Sequence, residues 1–465
     1  MTATTEPQVA DATLDELRTR MRGSVLGPES AGYDDARAVW NGMHDLRPAA
    51  IARCTGVADV IAALAFARSH GLDLAVRGGG HSFAGFSTCE GGLVIDLGPM
   101  RGVRVDPVAR TAVAQPGLRW GDLDHETQAF GLAVTGGLVS TTGIAGFTLG
   151  GGVGWLVRRY GMTVDSLLSC DVVTADGTLV HASAGENSDL FWGLRGGGGN
   201  FGIVTAFEYR LHPVGPMVTG GAVFIDGARA AETLRWLRDW VETVPEEVTT
   251  LVNLTSAPPL PFLPEEWHGR PIVGIAAMHC GELDAGARAL QPLKERPGIV
   301  ADLIGPIPYV AQQGLFDPLL GPGDHWYAKA GFVQTLSNTA IDAIVGAHAS
   351  RATPVSEVHV HHIGGAMARG GAEETAVGER GAPWLVNLMG RCSDAGEDAA
   401  VSSWARAAYE ALSPQTTGSA YMNFLSAEGD ERYRAAFGSK YERLLALKRA
   451  WDPENVFRLN QNIVP

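Results

Sequence analysis

The sequence predicts an α+β protein of two domains, one interrupted by the other, and three observations point there. A chain of 465 residues exceeds the size at which a single hydrophobic core keeps growing. Glycine accounts for 60 of those residues, about twice the usual share of roughly 7%, and it gathers in blocks at 78–80, 136–154 and 193–202. After Pro213 and Pro216 the blocks thin out and longer strand patterns take over, and near Tyr421 the character of the first part returns. The expected division is residues 1–215 as a first domain, 216–417 as an insert, and 418–465 rejoining the first.

In the first part, Ala50 to Arg53 reads as a short strand. Thr55 to His70 reads as an amphipathic helix with Val57, Ile61, Leu64 and Ala65 on one side, closed by Gly71. The strand Leu74 to Val76 completes a small β-α-β unit. Leu93 to Asp96, Val103 to Asp106 and Thr111 to Ala114 are further strands, and Arg119 to Ala129 is a helix. Leu168 to Ala175 and Thr178 to Ala182 flank Asp176-Gly177, a two-residue hairpin signal. A helix at Ser188 to Leu194 and a strand at Ile203 to Leu211 close this part. The insert carries a helix at Ala228 to Val244, a proline-rich loop at Pro258 to Pro264, and strands at Ile272 to Met278, Val355 to Ile363 and Trp384 to Met389. The last two are expected to pair antiparallel. Tyr433, Phe437 and Tyr441, at i, i+4 spacing, mark a terminal docking helix.

Composition removes several function classes. The net charge is −15, and no basic run is longer than Arg158-Arg159, which argues against nucleic acid and anionic membranes as partners. The five cysteines, Cys54, Cys89, Cys170, Cys280 and Cys392, are scattered without a Cys-x-x-Cys pair, so neither a disulfide framework nor a zinc site is expected. Met1 to Ala12 has no apolar signal region and no stretch approaches a membrane span. A cytoplasmic protein follows as the default.

The most informative run is residues 75–86. An apolar strand ends in Arg77, then come Gly78, Gly79 and Gly80, then His81 and Ser82. Three glycines after a strand let backbone N–H groups converge on an anion with no Cβ in the way. Arg77 would add charge and Ser82 a hydroxyl, and His81 would stand at the lip of a diphosphate cradle. A second glycine run, Gly143 to Gly154, offers more backbone amides through Gly143, Gly146, Gly151, Gly152 and Gly154, with Thr141 and Thr142 just ahead of it. Gly197-x-Gly199-x-x-Gly202 matches a dinucleotide fingerprint in letters, but a helix precedes it and a strand follows, so a nicotinamide site is rejected.

These segments, with Gly199 to Thr205 and the tail from Tyr421-Met-Asn423 to Asn460-Gln-Asn462, occur in one order over well over half the chain. In that order they resemble the PCMH-type FAD-linked oxidases of the vanillyl-alcohol-oxidase superfamily. The nearest branch is that of the bacterial berberine-bridge-enzyme-like proteins, which include 6-hydroxynicotine oxidases and sugar oxidases. The resemblance implies a PCMH-type FAD-binding fold with an inserted substrate domain. It implies FAD tethered covalently through His81, since a neutral imidazole can attack the 8α position of the flavin. Some relatives add a second, cysteinyl bond. Here Val139 stands at that position, so one covalent link is expected. By the same resemblance Gly202, Ile203 and Val204 bring backbone to the adenine end of FAD, and Asn423, Asn460 and Asn462 approach the flavin.

In the insert, Ser356-Glu-Val-His-Val-His-His362 alternates, which puts Glu357, His359 and His361 on one strand face. The resemblance places that sheet over the flavin and makes these three, with Tyr421, the candidate catalytic groups. Tyr421 and Asn423 would share a strand face; Phe424 replaces a second tyrosine found in relatives. A metal held by His359 and His361 is not expected, for want of further ligands. The implied reaction is a two-electron oxidation of an alcohol, amine or activated C–H bond of a small molecule, with O2 as acceptor and hydrogen peroxide as product. A dehydrogenase using another acceptor and a non-catalytic flavin-containing binding protein remain as alternatives, and the substrate and oligomeric state stay open.

Overall fold

Short strands rich in Val, Ile, Leu and Ala form sheets of four, five and eight strands and a two-stranded pair. They lie in residues 11–371 and 373–465, which this computed structural model describes. The four-stranded sheet runs in the order Val25–Leu26, Ala50–Arg53, Leu93–Asp96, Leu74–Arg77. Its strand Leu93–Asp96 is parallel to both Ala50–Arg53 and Leu74–Arg77. The helix Val57–His70 makes the crossover and ends on Gly71 at φ 63°, a left-handed position that favours glycine.

The five-stranded sheet is antiparallel, ordered Val103–Asp106, Thr111–Ala114, Ile203–Arg210, Leu167–Val173, Leu179–Ser183. Its last two strands are the hairpin expected at Asp176-Gly177, with Gly177 at φ 86°. The C-terminal segment returns to this half. Leu444 and Leu447 pack in one core with Phe191, Trp192 and Phe201. The expected single terminal helix is two, Asp430–Phe437 and Tyr441–Trp451, because Gly438 at φ 55° turns the chain between them. Tyr441 therefore opens a new helix and does not continue the face of Tyr433 and Phe437.

Residues between Met217 and Cys392 build the eight-stranded antiparallel sheet. Its central order is Met217–Asp226, Pro271–His279, Val248–Ser256, Glu357–His362, Trp384–Cys392, His325–Val333. Period-two alternation divides its two faces. Val252, Val358, Val360, Val386 and Leu388 join a core with Leu234, Leu290, Ile344 and Trp404 from four covering helices. The opposite face carries Leu251, His359, His361, Asn387 and Met389, all of which border a cavity against the glycine-rich half.

Candidate active site

The strand Leu74–Arg77 delivers the chain to the His81 loop. Arg77 does not serve the cavity as expected. Its Nη2 lies 3.1 Å from Asp96 Oδ2, and both side chains are buried, because in register Arg77 stands opposite Asp96. The three glycines allow a close crossing of two backbones. A Cβ on Gly79 would lie 2.4 Å from Gly143 N and Cα, and one on Gly143 would lie 2.3 Å from Gly79 N.

Two stacked rings and two hydroxyls hold His81 at the cavity edge. Trp40 stacks on its ring at 5.0 Å and 16°, and Trp326 from the inserted sheet stacks on Trp40 at 5.1 Å and 18°. Thr141 Oγ1 is 3.1 Å from Nε2 and Thr142 Oγ1 3.4 Å from Nδ1. Burial, aided by the Arg119 charge, pushes the imidazole down to about 3, so it is neutral at physiological pH.

A cavity of about 310 Å³ runs between the glycine loops and the inserted sheet. Gly78, Gly79, Gly80, His81 and Ser82 form one edge; Val139, Thr142, Gly143 and Gly146 form another. Gly202, Ile203, Val204, Asn460 and Gln461 border its far end. Beyond its own helix, a Cβ on Gly146 would meet no described atom within 4 Å, so the missing side chain leaves room for a ligand.

The sheet wall carries the polar groups. His359 Nε2 donates to Glu357 Oε2 at 2.8 Å, and Asn253 Nδ2 donates to the same oxygen at 2.6 Å. Arg391 Nη1 stands 3.8 Å from the other carboxylate oxygen. Burial alone would raise the Glu357 carboxyl, but the hydrogen bond from His359, then the Arg391 charge and the Asn253 amide, hold it below the usual range. His359 and His361 border the cavity, whereas Glu357 lies behind His359. His361 is neutral, lowered chiefly by burial, and its Nε2 makes no hydrogen bond among the described residues.

Comparison with known proteins decides the family. Residues 48–183 match the FAD binding domain profile, and residues 420–464 match the berberine and berberine-like profile. An FAD-linked oxidoreductase of Dictyostelium discoideum is 30% identical over 97% of both chains. The (R)-6-hydroxynicotine oxidase of Paenarthrobacter nicotinovorans is 30% identical over 96% of this chain and 97% of its own. The crystal structure of 6-hydroxy-D-nicotine oxidase from Arthrobacter nicotinovorans superposes with a TM-score of 0.87 at 28% identity, covering 96% of this chain and 98% of that one. The chain belongs to the berberine-like FAD-linked oxidoreductases. Its fold is the α+β, PCMH-type FAD-binding fold that the sequence predicts.

The residues of this FAD-linked oxidoreductase fit the cofactor. Gly146, Gly198 and Gly199 border the cavity, and beyond their own chain neighbours and helix no described atom lies nearer than 3.9 Å to a Cβ built on them; Asn460 Oδ1 is buried without a partner among the described residues. Several expected contributors lie elsewhere. Gly151, Gly152 and Gly154 lie outside the cavity wall; a Cβ on Gly154 would strike Gly136 O at 1.7 Å, so that glycine serves chain packing. Asn462 is also outside the wall, where its neighbour Gln461 stands instead.

Tyr421 and Asn423 do not share a strand. They lie at a one-turn 3-10 helix, Met422–Phe424, with Tyr421 as its cap. The Tyr421 hydroxyl accepts from Gly152 N at 3.1 Å, Val153 N at 3.0 Å and Asn423 Nδ2 at 2.9 Å. Burial raises its pKa far above the physiological range, and Tyr421 is not in the cavity wall, while Asn423 is. Its expected place beside the reacting groups is therefore corrected. Sequence reasoning missed Trp40, Phe316 and Leu320, all of which border the cavity. They come from segments without a motif, and only the fold brings them there.

Proposed function

We propose that this protein is an oxidase that holds FAD by one covalent bond from His81. It oxidises a C–OH, C–N or activated C–H bond of a small molecule and passes the electrons to O2, yielding hydrogen peroxide. The observation that carries this reading is that one cavity joins a neutral, doubly hydrogen-bonded His81 to the His359–Glu357 pair. Bound FAD supplies the two-electron acceptor. His81 would bond to the 8α carbon of its ring, with Gly78–Gly80, Gly143, Gly146 and Gly202 to Val204 offering backbone along its length. Val139, where a second tether would need a cysteine, has no nucleophile.

His359 acts as the general base. With Nε2–H committed to Glu357, its Nδ1 is the ring atom free to take the substrate proton. Glu357 fixes the tautomer and stabilises the imidazolium that forms, a positioning role. The apolar wall of Leu251, Phe316 and Met389 excludes water from the reacting groups. Denaturing the purified protein in acid tests the attachment: a yellow pellet is expected, and colourless protein under a yellow supernatant refutes it. His81→Ala should release the colour. Stopped-flow mixing of the reduced protein with air-saturated buffer tests the acceptor, because slow reoxidation would make the enzyme a dehydrogenase.

A further inference from the structure

The wall facing the reacting groups holds an amide that none of the described residues satisfies. Asn387, on the strand Trp384–Cys392, stands directly opposite His359 in register. It is 1% exposed and borders the cavity. Both its Nδ2 and its Oδ1 are buried without a hydrogen bond among the described residues. A buried polar group left unpaired loses its hydration with nothing in return, so such groups are normally paired. Two unpaired atoms on one side chain beside the base, in a ligand cavity, are a demand for a ligand.

We propose that Asn387 is the specificity-determining residue of this site. It selects an uncharged ring compound that presents a hydrogen-bond donor and acceptor side by side, as a carboxamide or a hydroxy-carbonyl edge does. The proposal rests on the reading of this cavity as the substrate site and names the class of substrate.

The reasons are those of hydrogen-bond inventory and charge. A carboxamide side chain offers one acceptor and one donor edge, and only a ligand that returns one of each satisfies both. A carboxylate offers two acceptors, which leaves Asn387 Oδ1 facing an oxygen. No lysine or arginine is among the described residues of the cavity wall, so no permanently cationic side chain there pairs with a substrate carboxylate. The surrounding Leu138, Leu251, Phe316, Leu320 and Met389 offer contact to an apolar ring and no partners for the many hydroxyls of a sugar.

Four probes of the holoprotein separate these cases, read by calorimetry and by perturbation of the flavin spectrum. Benzamide carries donor and acceptor, acetophenone the acceptor alone, benzoate a negative charge, and cellobiose hydroxyls without an apolar ring. Benzamide is expected to bind about ten-fold or more tighter than the other three. In Asn387→Leu, which keeps the branched shape and removes both polar atoms, the advantage over acetophenone should fall to about two-fold or less. Asn387→Ser, smaller and still polar, guards against a leucine variant that does not fold, and should also lose most of the advantage. Equal binding of benzoate or cellobiose, no binding of benzamide, or an unchanged ranking in both variants overturns the proposal. The readout needs no turnover: a protein that binds benzamide through Asn387 but never reduces O2 fails as an oxidase and leaves this inference standing.

Discussion

Two ionisable residues that look equally eligible in the sequence come apart once their partners are known. Glu357 is bound to His359, Asn253 and Arg391 behind the cavity wall. The Tyr421 hydroxyl instead accepts from two backbone amides and Asn423. Their substitutions should therefore fail in different ways. Glu357→Gln keeps the side-chain shape but removes the charge that steadies a protonated His359. We expect flavin reduction at saturating substrate to slow by about ten-fold or more, with substrate affinity and flavin content unchanged. Tyr421→Phe strands two buried N–H groups, at about 1–3 kcal/mol each, so it should lower the melting temperature while reduction stays within about two-fold of wild type, since no proton passes through the phenol. Rapid-reaction traces and thermal melts of both variants separate the roles. A Tyr421→Phe enzyme that is stable but slow would return the tyrosine to the chemistry.

At the scale of elements, the two glycine runs divide into glycines that close the fold and glycines that leave space. Gly143 crosses Gly79 so closely that a Cβ would sit on backbone atoms, which cannot move aside. Gly146 lies on the helix Ile144–Leu149 and borders the cavity, and a Cβ there touches no described atom beyond its own helix. Gly143→Ala should therefore give misfolded or insoluble protein, whereas Gly146→Ala should fold and contain less FAD. Soluble yield and the flavin-to-protein absorbance ratio check both. The two behaving alike would remove the distinction. Much of this architecture is legible in the sequence. The β-α-β unit, the Asp176-Gly177 hairpin and the pairing of Glu357–His362 with Trp384–Cys392 follow local rules of period and turn chemistry, and they stand where expected. What the sequence hides depends on distant partners. Arg77 reads as a phosphate ligand until Asp96 is found opposite it. Tyr421 reads as strand because its hydroxyl's backbone partners, Gly152 and Val153, belong to a segment far away in the chain. Trp40 has no motif at all, yet its indole Nε1 donates to Leu320 O while its ring covers His81.

Across the whole molecule, both halves hold uncharged histidines, half-buried at His212 and fully buried in the inserted sheet and its helices, and that sets how the protein responds to acid. Burial holds His212 and His348 down to about 4 and His362 down to about 2, the last two helped by Arg351 and Arg158 and the first by Arg210. His361 and His279 are lowered chiefly by burial. In the unfolded chain each would take a proton near its ordinary value of about 6.5. Between that value and the depressed folded one, the unfolded state binds more protons, so stability rises with pH and falls on acidification. The contribution is complete above about pH 6.5 and is lost progressively below it. Glu357, also depressed in the folded protein, adds a loss only once pH drops into the carboxylate range. The melting temperature should therefore be level from about pH 8 to 7, decline from about pH 6.5, and steepen again near pH 4. His348→Gln, on the covering helix Asn338–Ala349 and away from the cavity, should flatten part of the first decline without touching flavin content. A melting temperature that holds constant down to about pH 5 in the wild-type protein would mean that these rings are solvated or already protonated in the native state, and would remove buried neutral histidine as the source of acid sensitivity.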